Sequence, residues 1–220
     1  MAYPPAPWTL QGYSIQTLHL FDIAKVHPFV PSELEIISVL PGKTLGGIYA
    51  AFYALGSTLT YSELIIVSAV TRYAGKFGTW ISHIYVDNAD SMEGGREIWG
   101  LPKELAQFRW ELGECSGVNV HQGDQLLCSI SYDWQLPQWR QPLSLPSFSA
   151  LGSNLLSFEG KGEIGLSLIG VKVQIPVQSP FSTLGLDQPL LGFYGNQLRL
   201  LATAPVVIGE RSVPFSESRL

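Results

Sequence analysis

The chain reads as a mainly β protein, an antiparallel and curved sheet that closes into a barrel or folds over on itself. Three observations point there. Apolar and β-branched runs recur along the chain with turn signals between them. Helical signals are confined to two short segments. Charged residues make up only 14% of the chain against 46% hydrophobic, where ordinary domains carry about 25% charged. Much apolar surface must therefore be hidden, in a large core or between subunits.

The elements follow in order. Pro4, Pro5 and Pro7 hold the opening segment extended, with polyproline II character, and Trp8 is placed to pin it onto the body. Residues 13–20 alternate as a strand, with Ile15, Thr17 and His19 on one face. Asp22 suits a helix N-cap. Residues 23–27 form a short helix that Pro28 and Pro31 end, because proline lacks the N–H a continuing helix needs. A strand over residues 34–40 and a Pro41-Gly42 turn come next. Residues 45–54 are nearly all apolar and predict a strand buried on both faces, with Gly46 and Gly47 marking a bulge. Residues 59–73 and 79–86 form a hairpin around the turn at 74–78.

Asp87-Asn-Ala-Asp-Ser91 signals a helix start. The helix is expected over residues 89–98, ending near Gly100, and Gly94 and Gly95 shorten it toward two turns. Pro102 then forces a bend. Residues 108–114, 118–120 and 125–134 read as strands. Pro137, Pro142 and Pro146 make an irregular excursion. Residues 164–175 and 198–208 are strands, and the polar tail from Gly209 is loose. The total is roughly ten strands and two short helices. No long linker, repeat or low-complexity tract divides them, so residues 1–220 are taken as a single domain.

Several function classes are disfavoured. Net charge is −5 without a Lys/Arg cluster, unlike the basic stripe of a nucleic-acid binder. The most apolar window, residues 46–55, is far shorter than the roughly 18 residues a spanning helix needs, so no membrane association is expected. The N-terminus lacks a basic n-region and apolar run, and the expected location is cytoplasmic. The low charge content favours a homo-oligomer. Cys115 and Cys128 make no metal motif and read as reduced thiols. His19, His27, His83 and His121 are scattered without metal-ligand spacing. Neither a phosphate-binding glycine loop nor a nucleophile elbow is present.

The chemistry concentrates in Gly94-Gly-Arg-Glu-Ile-Trp-Gly-Leu-Pro-Lys-Glu-Leu105. Lys103 follows a Gly-Leu-Pro step and sits near Trp99. A lysine held among apolar groups loses hydration, which disfavours its charged form. The free amine is a nucleophile that attacks carbonyl carbons. A small-molecule keto substrate is therefore expected. The ordinary alternatives are a surface lysine, an exposed Glu63 on an alternating strand, and an Arg96–Glu97 pair that ties the short helix to the sheet.

Four passages, in this order and spacing, resemble the acetoacetate decarboxylase superfamily: the Pro-rich opening that ends at Trp8, Val26-His-Pro-Phe-Val-Pro-Ser-Glu-Leu-Glu-Ile36, Tyr61-Ser-Glu-Leu64 with the hairpin ending Tyr85-Val-Asp-Asn88, and Gly95-Arg-Glu-Ile-Trp-Gly-Leu-Pro-Lys103. The resemblance covers Trp8 to Trp110. It implies a cone-like antiparallel β-barrel enclosing the active site. It also implies a lyase in which Lys103 forms a Schiff base, Glu63 lines the pocket as the second catalytic residue, and Arg96 and Glu97, the pair before the active loop, bind substrate together with Trp99, Tyr61 and Phe52. Decarboxylation, or a related aldol or dehydration reaction, would follow. No cofactor is needed, since a protonated imine is its own electron sink. Trp99, Phe52 and Tyr61 are expected to desolvate the lysine. The pattern departs in two places. Glu104 stands where the decarboxylases carry a second lysine, and Gln11, Gly12 or Gln16 lies in the region of the first strand where they carry an arginine. The departures suit a different reaction on the same imine chemistry, a larger and more neutral substrate, or a non-catalytic barrel that binds a small apolar ligand.

Overall fold

The protein is described by a computed structural model covering residues 3–111, 113 and 116–211. The chain runs through β1 (Trp8–Asp22), α1 (Ile23–Val26) with a 3₁₀ turn (His27–Phe29), β2 (Glu35–Ile36), β3 (Lys43–Tyr53), β4 (Tyr61–Tyr73) and β5 (Lys76–Val86). It continues through α2 (Ala89–Trp99), β6 (Lys103–Leu105), β7 (Gln107–Glu111), β8 (Ser116–Gln122) and β9 (Gln125–Gln135). Last come β10 (Trp139–Leu151), β11 (Asn154–Gln174), a 3₁₀ turn (Ser182–Leu184), β12 (Leu191–Ala202) and β13 (Val206–Glu210).

Among the described residues all these strands belong to one sheet, and part of it closes. The path β10-β5-β4-β3-β1-β12-β11 returns from β11 to β10. Neighbours in this ring are antiparallel except at one seam, where β10 meets β5 in parallel through only Ser147↔Thr79 and Phe148↔Trp80. Further along the same edge of β5 sits β6, which pairs Lys103 with Ile84. The mainly β, antiparallel barrel expected from the sequence is the observed architecture. Strands β9, β8 and β7 extend from β11 beyond the ring. The largest buried cluster fills the space between ring and outer layer, where Val26, Val120, Cys128 and Phe181 pack against Ile48 and Ile66. Burial pushes the Cys128 thiol up from its ordinary value, so it stays protonated. Cys115 lies outside the described residues. No helix among them is long and apolar enough to cross a membrane.

Several elements differ from the sequence expectation. Strand β1 begins at Trp8, which pairs with Ala202. Its indole Nε1 donates to Pro4 O at 2.9 Å and so holds the Pro-rich opening in place. The strand expected over 34–40 shrinks to two residues. Gly46 and Gly47 form no bulge: both keep a regular register with β1, and Gly47 does so with β4. A Cβ on Gly47 would lie 1.9 Å from Thr17 O, and one on Gly46 2.2 Å from Val67 O, so these glycines permit close backbone approach. The register shifts fall between Gly12 and Ser14 and around Val67–Ala69 instead.

The helix α2 is longer than two turns, with 11 residues. Asn88 caps it by accepting from Ser91 N at 2.9 Å, and Gly100, at φ 62°, closes it in the left-handed conformation that favours glycine. Pro142 and Pro146 lie inside β10 and not in an excursion. Among the described residues β10 is paired over 139–146 with β11 alone, and an edge tolerates a residue without an N–H. The strand expected over 164–175 starts ten residues earlier as β11. The one expected over 198–208 is two strands, β12 and β13, and β13 takes in Gly209.

Candidate active site

The barrel lumen holds a cavity of about 360 Å³, to which every strand of the ring contributes side chains. Pleating explains which residues face inward. On β3, Gly47, Tyr49 and Tyr53 share one face, and β4 opposes them with Val67, Ile65 and Tyr61. The register sets Glu63 opposite Ala51 on that same face. Most of the wall is aliphatic.

One end of the lumen is polar. There Lys103, the first residue of β6, points inward with its side chain 3% exposed. Its Nζ lies 2.8 Å from Glu63 Oε1 and donates to Ser91 Oγ at 3.0 Å. The Nζ also stands 5.0 Å from the centre of the Tyr61 ring and 5.8 Å from that of Trp8, within cation–π range. Trp99 meets Trp8 edge to face at 4.8 Å and closes this end. The Tyr53 hydroxyl donates to Glu63 Oε2 at 3.1 Å and lies 3.3 Å from the Tyr49 hydroxyl. Burial first, with the charge of Glu63 adding to it, pushes the Tyr49, Tyr53 and Tyr61 phenols up. All three are therefore hydrogen-bond donors at neutral pH.

Helix α2 builds the other side of the lysine. Ser91, Gly95 and Trp99 follow one another at helical spacing and are buried. Gly95 leaves room for the lysine stem, because a Cβ there would lie 2.4 Å from Lys103 Cδ. From the outer side of the helix, Arg96 Nε donates to Lys103 O at 2.6 Å and fixes the backbone of β6.

Four of the residues singled out in the sequence, Lys103, Glu63, Tyr61 and Trp99, line the cavity together. Three do not. Phe52 points to the opposite face from Tyr53 and packs on Tyr13, ring centres 5.5 Å apart, outside the lumen. Arg96 and Glu97 lie on the exposed side of α2. Arg96 holds the Lys103 carbonyl, and Glu97 accepts from the Tyr3 hydroxyl. Each ties the helix to a different neighbour. Ser91, Tyr49, Tyr53 and Trp8 were not singled out as site residues. The two tyrosines share the period of the inward face of β3, but only the pairing of Ala51 with Glu63 brings them to the lysine. Among the described residues no three His, Cys, Asp or Glu side chains gather as a metal site.

A closed antiparallel barrel with a buried lysine–carboxylate pair at one end of an apolar lumen defines the class of the molecule. The family model for acetoacetate decarboxylase matches residues 1–164, and the chain belongs to that family. Acetoacetate decarboxylase of Ralstonia nicotianae is 35% identical over 135 residues, 60% of this chain and 48% of the relative. Protein NEOXANTHIN-DEFICIENT 1 of Oryza sativa subsp. japonica is 30% identical over 102 residues, 46% of this chain and 33% of the relative. These matches span between a third and a half of the relatives' own length. Among solved structures, acetoacetate decarboxylase from Legionella pneumophila superposes with a TM-score of 0.72 at 15% identity, covering 96% of this chain and 90% of the other. The enduracididine biosynthesis enzyme MppR gives 0.68 at 14% identity, covering 94% and 89%. These likenesses establish the fold.

Proposed function

We propose that the chain is a lyase of the acetoacetate decarboxylase type that binds a keto substrate as a Schiff base on Lys103. One observation carries this reading. A lysine amine, almost wholly removed from water, faces a ligand-sized cavity with a carboxylate at 2.8 Å and a hydroxyl at 3.0 Å. Keeping both charges buried costs several kcal/mol per ion. Passing the proton from Nζ to Glu63 across that short contact removes both. The neutral amine then attacks the carbonyl carbon, and the oxygen leaves as water once Glu63 returns the proton. The resulting iminium draws electrons from an adjacent C–C or C–H bond, and Glu63, steadied by Tyr53, is placed to exchange the next proton. No cofactor enters this scheme. Exposed apolar side chains such as Val206 and Val207 support association into a homo-oligomer.

The test is borohydride trapping over a panel of ketones and keto acids, read by intact mass and peptide mapping. Reduction should fix one adduct on Lys103 and none on Lys103→Ala. The apolarity of the lumen favours one competing reading, a non-catalytic barrel that holds an apolar ligand. An unchanged mass over the whole panel would decide for it.

A further inference from the structure

Resting on the Schiff-base reading, we propose that the compound taken by Lys103 is an uncharged ketone or aldehyde on an apolar hydrocarbon body, and not a keto acid. Among the described residues that line the lumen, Lys103 is the only cation. It is already matched by Glu63 at 2.8 Å. A substrate carboxylate would enter as a second anion beside Glu63 with no positive partner, and a buried unpaired charge is strongly disfavoured. The iminium does not change this balance, because its charge replaces that of the lysine.

Other polar groups of the wall are engaged with one another or with neighbours behind it. Thr79 and Ser147 lie 2.9 Å apart, oxygen to oxygen. Gln16 Nε2 donates to Ser14 Oγ at 3.0 Å, and Thr17 Oγ1 meets His19 Nε2 at 2.8 Å. Basic residues on the ring strands turn outward, as Lys43 does toward Asp22 and Arg72 toward Glu35.

Shape agrees with charge. Polar atoms gather where Tyr53 pairs with Tyr61, and the aliphatic wall runs on from there past Val67 to Leu45 and Leu18. A cavity of about 150 Å³ takes a benzene ring. The lumen, at about 360 Å³, takes roughly twice that, a body of about a dozen carbons. A carbonyl at one end of such a body reaches Lys103 while the rest lies along the aliphatic wall.

The chemistry follows from the absence of a carboxylate to lose. After the iminium forms and water leaves, Glu63 is again a carboxylate. It takes the proton from the carbon next to the C=N bond, the C–H pair becomes the enamine double bond, and the C=N pair moves onto nitrogen. That enamine serves dehydration of a β-hydroxy carbonyl, or aldol carbon–carbon chemistry.

A matched pair tests the inference: 4-phenylbutan-2-one and 2-oxo-4-phenylbutanoate, alike in their apolar body and different in charge. Calorimetry of the full chain is expected to show the ketone binding at least about tenfold more tightly than the keto acid. Borohydride is expected to leave an adduct on Lys103 with the mass of the ketone less one oxygen. Equal or tighter binding of the keto acid overturns the inference, and so does the failure of both to bind. Tighter binding of the ketone without any adduct keeps the apolar ligand class and removes the Schiff base instead. Gln16→Arg, which adds a cation to the wall, is expected to narrow the preference, and an unchanged ratio in the folded variant would count against the charge argument.

Discussion

Gly95→Ala separates the placement of the lysine from the stability of the barrel. Two opposing effects meet at this position. Alanine favours the interior of a helix over glycine by about 1 kcal/mol. Its methyl, however, would lie 2.4 Å from Lys103 Cδ and 2.6 Å from Cε, inside contact distance. That stem cannot swing away freely, because its amine is held by Glu63 and Ser91 and its flank by the Tyr61 and Trp8 rings. Overpacking of this kind costs about 1–3 kcal/mol, so the net loss of stability should be no more than about 2 kcal/mol. The amine, in contrast, must shift by about 1 Å, enough to lower a positioned reaction about 100-fold. Urea unfolding and the rate of borohydride trapping measure the two separately. Gly192→Ala is the control, since its methyl would meet Val171 Cγ1 at 2.3 Å, away from the residues that line the lumen. A folded Gly95→Ala protein trapped at the parent rate would refute the claim that this glycine sets the lysine.

Three other expectations follow from the same structure. In a cycle of Lys103→Met and Glu63→Gln, each single change should cost about 3–5 kcal/mol by leaving one charge buried alone. The double variant should recover about 2–3 kcal/mol of the sum, and additive losses in urea unfolding would mean the pair is not coupled. His19 is held down to about 4 from 6.5 by burial, an effect that the charge of Asp187 partly opposes. The unfolded chain therefore binds more protons between these values. Stability should be full above pH 6.5 and fall by up to about 3 kcal/mol as pH drops toward 4, with the slope reduced in His19→Gln. Gly47→Ala would set a methyl 1.9 Å from Thr17 O, backbone against backbone. It should cost more than about 3 kcal/mol, seen as a collapse of Tm or of soluble yield.

The parts of the fold legible in the sequence are those whose signal is local. The runs that become β4 and β5 are β-branched and bounded by turn residues, and the helix start at Asn88 carries its own cap. What was not legible depends on partners distant in the chain. Pro142 and Pro146 read as a break because nothing local says that one edge of their strand is unpaired. Closure of the barrel rests on two residue pairs, Ser147↔Thr79 and Phe148↔Trp80, which no periodicity reveals. The site divides in the same way. Lys103 and Glu63 stood out by motif, but which neighbours join them is a question of face. Phe52 and Tyr53 are adjacent and both aromatic, and the pleat sends only the second to the lysine. Gly95 looked like a weakness in a helix until the lysine stem was seen to pass over it.

The same alternation decides what Glu104 does. A carboxylate next in sequence to a reactive amine would hold that amine in its charged form if the two met. They do not, because successive side chains on a strand point to opposite faces. Lys103 enters the lumen, while Glu104 is exposed and accepts from Gln122 Nε2 at 2.9 Å. The carboxylate that meets the amine is Glu63, which in the proposed scheme takes the amine's proton and later returns it. Glu104→Lys therefore adds a cation on the solvent side, where water and salt screen it. Its trapping rate should stay within about twofold of the parent at physiological salt, because an exposed charge of this kind is worth about 0–1 kcal/mol. A tenfold faster rate would mean that the field of residue 104 reaches through the strand, and control of the amine would then have to be shared between the lumen and the surface.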